Sequence, residues 1–341
     1  MKRSSLCLLL ATLMLLTTLL VGTAITASAE EADYEATLYA ADGETVLATG
    51  DFADVFAMAE DKAKGIIELH KDIELTYGYT IKNDKIVKIK GNGHTIYIDS
   101  SILTSGVNNF FVINGPTEAE GYSAIPYFTF ENVNLVGQDM DWRPGDEMLE
   151  FGAGNASYAA AIVVSPYAHL EMVGCSMKYF STNTRTSCIW SNAYTATHND
   201  EYGIWLTDTV ITDNYSLNGE WSYQACAINM YYPATWTAGY VGSYLHVSGK
   251  TVIVDNYGKT GKQSNVCLGK YKSADAAYYD HSAVLVVEED FTGKVLLVKS
   301  LYGNLAHETE RLGHVFYVGN SFDGEGNTCN NVRKGLVYGA M

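Results

Sequence analysis

The 341-residue sequence is poor in proline, in charge and in long apolar runs. Five Pro against 31 Gly, with 25 Tyr, point to tight turns and strands rather than long helices. Only 18% of residues are charged, which excludes an intrinsically disordered chain. At 47% apolar, a chain of this length buries a sizeable core. Basic residues are the scarcer sign: 22 Lys and Arg against 39 Asp and Glu give a formal charge of −17. Such a surface repels phosphate backbones, so no nucleic-acid partner is expected.

Cysteine is sparse as well. Cys7 lies in the leader described below, and Cys175, Cys188, Cys226, Cys267 and Cys329 remain, an odd number with no CxxC pair. This is neither a disulfide framework nor a thiolate metal site, and small buried hydrophobes are the expected role. Gly-x-Ser-x-Gly and Gly-x-x-x-x-Gly-Lys are both missing. His307-Glu308 is followed by Arg311 where a zinc-protease helix needs its second His. Asp323-Gly324-Glu325-Gly326-Asn327 lacks the distal Glu of a calcium loop and reads as a surface turn. No metal or other cofactor is expected.

The one long apolar run lies at the start. Lys2 and Arg3 precede a mostly apolar stretch from Leu6 to Ile25, followed by Ala27-Ser28-Ala29. A basic n-region, an apolar h-region and an A-x-A site make a secretory leader over residues 1–29, cleaved near Ala29. An N-terminal anchor is the alternative, and the small-residue site followed by Glu30-Glu31 favours cleavage. Losing Lys2 and Arg3 leaves 20 basic against 39 acidic residues, or −19. No later run approaches spanning length, so the processed chain is expected to be exported, secreted or held at a cell surface, with no membrane span.

Beyond the leader, Asp42-Gly43 between Ala36–Ala40 and Glu44–Ala48 predicts a hairpin with a two-residue turn. Asp51 is an N-cap candidate for a helix whose apolar residues Phe52, Val55, Phe56 and Ala59 recur at helical spacing. Strand-length apolar runs follow without room for crossover helices. Beyond Phe128 three strand types recur in one order. The first includes Ile162, Ile189, Ile228 and Val266; the second Phe130, Met172, Leu206 and Val247; the third Leu135, Met177, Ile211 and Ile253. Spacings of 42, 34 and 41 within the second type fit fixed strands joined by variable loops. A recurring strand triplet implies a parallel coil, in which stacking builds one continuous core. An antiparallel sandwich is the alternative, but it has no reason to repeat a triplet.

The stretch Ala160–Asn183, AAIVVSPYAHLEMVGCSMKYFSTN, resembles the repeat of bacterial right-handed parallel β-helix surface proteins of the pectate-lyase-like fold. Ile86–Ile98, IVKIKGNGHTIYI, is similar to a coil near the start of such helices. The resemblance covers roughly residues 50–320 and departs in lacking Gly-Gly before Ala-Ile and in the bulky Cys188-Ile189-Trp190. It implies an all-β, right-handed parallel β-helix solenoid over 65–341, preceded by a short N-terminal β-hairpin and capping α-helix over 30–64. It also implies an adhesin-like, non-enzymatic role toward a glycan or cell-surface polymer. Asn214 and Asn256, which recur after the third strand type, are expected to stack internally and bond turn backbones.

Extra residues enter between the first and second strand types: 8 positions from Ile162 to Leu170, but 17 from Ile189 to Leu206, 17 from Ile228 to Leu245 and 18 from Val266 to Val284. Loops gathered at one corner of a solenoid commonly form its binding surface. Tyr231, Tyr232, Trp236, Tyr240, Tyr278 and Tyr279, with Trp221 and Tyr223 more weakly, are the expected contacts. Such rings suit sugars, and they equally suit packing that holds long loops down.

Enzymes on the resembled fold define the alternative, a polysaccharide lyase or glycoside hydrolase. Asp141, Glu147 and Asp208 are its candidate carboxylates, and calcium enters only under the lyase reading. The hydrolases' Asn-Thr-Asp, Asp-Asp and Gly-His-Gly signatures are missing, and no Asp cluster accompanies Arg185. Asp208 and His94 read better as turn residues.

Overall fold

The computed structural model describes residues 33–98, 109–116, 125–137, 160–182, 187–191, 194–195, 202–216, 226–230, 241–242, 244–258, 264–268 and 283–296, and the strands 315–317, 320–322, 328–329 and 335–338. Glu35–Met341 form one unit and Met1–Tyr34 another. Among the described residues no helix is long and apolar enough to cross a membrane.

Three parallel sheets dominate. In Ile86–Lys90, Tyr127–Glu131 and His169–Val173 every second side chain is buried, the period of a strand with one face on a core. Sheet I takes Lys64–Leu69, Ile86–Lys90, Tyr127–Glu131, His169–Val173, Gly203–Thr207, Tyr244–Ser248 and Val284–Val287, each parallel to the next. Sheet II takes Ile73–Leu75, Thr95–Ile98, Asn134–Val136, Ser176–Lys178, Val210–Ile211, Val252–Ile253 and Lys294–Leu296. Sheet III takes Tyr79–Ile81, Asn109–Ile113, Ala160–Val164, Ile189–Ser191, Ile228–Met230 and Val266–Leu268. The chain visits I, II and III in turn, so neighbours within a sheet lie one rung apart in sequence. The architecture is all-β and solenoid-like.

The predicted columns align. Ile162, Ile189, Ile228 and Val266 are successive partners in sheet III. Ile67, Ile89, Phe130, Met172, Leu206, Val247 and Val287 are successive partners in sheet I. Leu135, Met177, Ile211 and Ile253 do the same in sheet II. All belong to one buried cluster running through the rungs. Each fully buried side chain of this kind contributes about 1.5–3 kcal/mol, and only stacking supplies that burial, because a single rung has no opposing layer.

Register adjusts one expectation. Leu170 pairs with Ile204 rather than Leu206, and Leu245 pairs with Leu285 rather than Val284. The strand-to-strand intervals are therefore 15 from Ile189 to Ile204 and 19 from Val266 to Leu285.

The N-terminal segment departs from its predicted details. Ala36–Tyr39 and Val46–Gly50 pair antiparallel, but residues 40–45 make a six-residue connection instead of a two-residue turn. Asp42 organises it: its carboxylate accepts the Glu44 and Thr45 amides (3.0 and 2.9 Å) and the Thr45 hydroxyl (2.7 Å). These bonds lower the Asp42 pKa to about 2. Ala36–Tyr39 also pairs antiparallel with Lys64–Leu69, covering the first edge of sheet I.

Helix α1, Phe52–Glu60, follows with Asp51 at its N-cap position, but the Asp51 side chain makes no capping bond. Glu35 supplies it from 17 residues away, Oε2 accepting the Phe52 amide at 2.8 Å. The helix buries Phe52, Val55, Phe56 and Ala59. Phe56 meets Tyr79 (centroids 4.5 Å), Phe111 (6.4 Å) and Phe128 (6.5 Å), so α1 lies over the interior of the first rungs.

Polar ladders fix the turns. Asn214 Nδ2 donates to Asn256 Oδ1 (2.7 Å), and Asn256 Nδ2 donates to Asn265 Oδ1 (2.8 Å). Each Asn also closes its own turn, Asn214 to the Thr212 carbonyl and Asn256 to the Val254 carbonyl. This is the expected structural role. A second ladder occupies the position before each sheet II strand: Thr209 and Thr251 hydroxyls donate to main-chain carbonyls of their own and the preceding rung. At the next rung the corresponding residue is Gly293, where a Cβ would fall 1.7 Å from the Thr251 carbonyl oxygen. After Lys294–Leu296 the parallel run ends. Val315–Tyr317, Asn320–Phe322 and Thr328–Cys329 continue sheet II antiparallel, and Gly335–Tyr338 closes sheet I antiparallel to Val284–Val287.

Candidate functional site at the junction of sheets III and I

The insertions share one corner. Each leaves at the end of a sheet III strand and rejoins at the first residue of a sheet I strand: Ser191 to Gly203, Met230 to Tyr244, Leu268 to Val284. Two of them pair directly, Tyr194–Thr195 running antiparallel to Val241–Gly242. The expected contacts Trp221, Tyr223, Tyr231, Tyr232, Trp236, Tyr240, Tyr278 and Tyr279 all lie outside the described residues, as do Asp141 and Glu147. Asp208 is described. It occupies a turn at φ 49° and its Oδ1 accepts the Lys250 amide at 2.8 Å, tying successive rungs together.

Beside this corner, the outer face of sheet I carries a row of rings. Alternation turns Leu170, Met172, Ile204, Leu206, Leu245 and Val247 inward, which sends His169, Glu171, Trp205, Tyr244 and His246 outward. Trp205 and His246 are direct partners in register and stack with centroids 4.5 Å apart and planes 8° from parallel. His169 opposes Gly203, which has no side chain, so its ring leans diagonally onto Trp205 at 4.0 Å and 16°. Tyr127 extends the row, 4.6 Å from His169. Gly203 sits at φ 131° and a Cβ there would fall 2.2 Å from the Tyr244 carbonyl oxygen, so the gap that admits the His169 ring is also required by the backbone.

Carboxylates flank the row. Glu171 Oε2 accepts the Thr129 hydroxyl at 3.1 Å, Glu131 pairs with Lys88, and Glu288 Oε1 lies 2.8 Å from His246 Nδ1. The other ring nitrogen of His246 is Nε2. That nitrogen is buried and has no hydrogen-bond partner among the described residues.

The stacking decides what this row can do. Parallel rings at these separations fill one another's faces, so the row turns ring edges rather than faces outward; of the His246 nitrogens, Nδ1 meets Glu288 and Nε2 is buried. Such a surface recognises by hydrogen bonding rather than by offering a ring face. Among the described residues no three His, Cys, Asp or Glu side chains gather to hold a metal ion.

Periodicity is the sequence signal for this row. The segments HLEMV, GIWLT and YLHVS were legible as equivalent strands, and reading their alternate positions across rungs places His169, Glu171, Trp205, Tyr244 and His246 on one face. What the sequence alone did not give was the diagonal offset across Gly203. Comparison with family models, with curated proteins and with solved structures finds no match.

Proposed function

We propose that this chain is an exported right-handed parallel β-helix that binds a neutral, hydroxyl-rich glycan polymer without cleaving it, in the manner of an adhesin. The observation that carries the reading is the outward row Tyr127–His169–Trp205–His246, flanked by Glu171 and Glu288 beside the corner where the insertions enter. Ring edges and carboxylates on successive strands, about 4.8 Å apart, offer repeated donors and acceptors to a repeating chain of hydroxyls. The formal charge of −17 disfavours polyanionic glycans. The leader-like start is what supports export.

A titration of neutral and acidic polysaccharides against the wild type and Trp205→Ala tests this. Retained binding of a neutral polymer, weakened roughly thirtyfold by the substitution, is the expected result, since a central Trp typically carries about 2 kcal/mol of an interface. Equal binding by both proteins would refute it. The enzymatic alternative, a polysaccharide lyase or glycoside hydrolase, draws no support from the His246–Glu288 pair, whose remaining ring nitrogen is buried. Release of products from pectins or other polysaccharides, with or without calcium, would establish it instead.

A further inference from the structure

Cys188 and Cys226 occupy adjacent rungs at the entrance to sheet III. The Cys188 amide donates to the Cys226 carbonyl at 2.8 Å, immediately before the parallel pairing of Ile189 with Ile228. Strands paired in this way place such Cα atoms within the range that a disulfide spans. Both side chains are fully buried, both thiols are free, and that of Cys188 lies against that of Cys226. Cys175 and Cys267 are also free and buried, but each belongs to a different strand position, Cys175 before sheet II and Cys267 on the outer side of sheet III.

We propose that Cys188 and Cys226 form an oxidative modification site, closing a disulfide that staples two successive rungs. The oxidant is a small-molecule disulfide. One cysteine thiolate attacks a sulfur of the oxidant, expelling the first thiol and leaving a mixed disulfide on the protein. The second cysteine, as thiolate, then attacks the protein sulfur and expels the second thiol. Two protein thiols are oxidised, one external disulfide is reduced to two thiols, and both protein protons leave with the products.

Burial gives the site its character. Removed from water, and facing a second sulfur, the Cys188 thiol is held well above its ordinary pKa, so in the native chain it stays protonated and reacts slowly. Opening of the rung entrance is therefore the step that exposes it, and once closed the bond removes loop entropy from the unfolded chain. The proposal is independent of the binding reading and goes beyond it.

The test treats the full chain with oxidised glutathione over hours, blocks remaining thiols under denaturing conditions and maps peptides by mass. The expected product is a cross-linked peptide joining Cys188 to Cys226, two hydrogens lighter than its parts, with Cys175 and Cys267 recovered blocked. Cys226→Ser abolishes the cross-link, and Cys188→Ala does so independently. The oxidised protein unfolds at a higher temperature than the reduced one. Recovery of both cysteines blocked, as persistent glutathione adducts or joined to other partners, would overturn the assignment.

Discussion

Asn256→Ala measures what the internal asparagine ladder contributes. Asn256 Oδ1 accepts both the Asn214 amide (3.2 Å) and Asn214 Nδ2 (2.7 Å). Its Nδ2 serves the Ile211 carbonyl (3.0 Å), the Val254 carbonyl (2.9 Å) and Asn265 Oδ1 (2.8 Å). Both Asn214 and Asn256 are fully buried, so truncation strands several polar groups away from water. A net hydrogen bond is worth about 1 kcal/mol, and a buried group left unsatisfied costs about 1–3 kcal/mol. Partial relaxation offsets some of this, and a loss of about 3–5 kcal/mol is expected. Urea unfolding followed by far-UV circular dichroism reads it directly. Contacts in a stacked-rung fold reach only neighbouring rungs, so an added early transition from the later rungs is also expected. Asn214→Ala shares the Oδ1–Nδ2 bond, and the double variant should cost less than the sum of the singles. A loss below about 1 kcal/mol for Asn256→Ala would refute the ladder as the element that fixes this turn.

Two further outcomes separate competing causes. Glu35→Ala removes the acceptor for the first amide of α1 and should cost about 1 kcal/mol in chemical denaturation, whereas Asp51→Ala should cost a few tenths; the reverse order would restore the local cap. Stability should also fall in alkali. Burial raises the Cys175 thiol to about 11 and the Cys267 thiol to about 12, from 9. Above pH 9 the unfolded chain releases these protons while the native chain keeps them, so stability is lost as pH rises from 9 toward 11 and 12. The Cys175 shift corresponds to about 3 kcal/mol. Cys175→Thr, matching Thr209 and Thr251 on the next rungs, should flatten that slope, and an unchanged slope in pH-dependent melting would count against burial as its cause.

Some features were legible because they repeat. An apolar residue at the same step of each strand type sufficed to align Ile162 with Ile189, Ile228 and Val266, since only stacking gives those side chains a core. The Asn214 and Asn256 ladder was legible for the same reason. The junction of sheets III and I was legible as a place, through the insertions that enter there, but the rings expected to line it belong to segments outside the described residues.

What the sequence determined by itself is therefore what periodicity encodes: an all-β chain of recurring strand triplets, the columns of its core and the corner where its loops enter. What only the tertiary structure decided depends on groups far apart in sequence. Glu35 caps α1, a six-residue connection replaces the two-residue turn, and Gly203 lets His169 slide onto Trp205. The physical reason is range. Alternation and turn chemistry act over a few residues and are written locally, whereas the Glu35 cap joins residues 17 apart and the stack of rings exists only once rungs some 35–45 residues apart are brought to about 4.8 Å, the spacing of hydrogen-bonded strands.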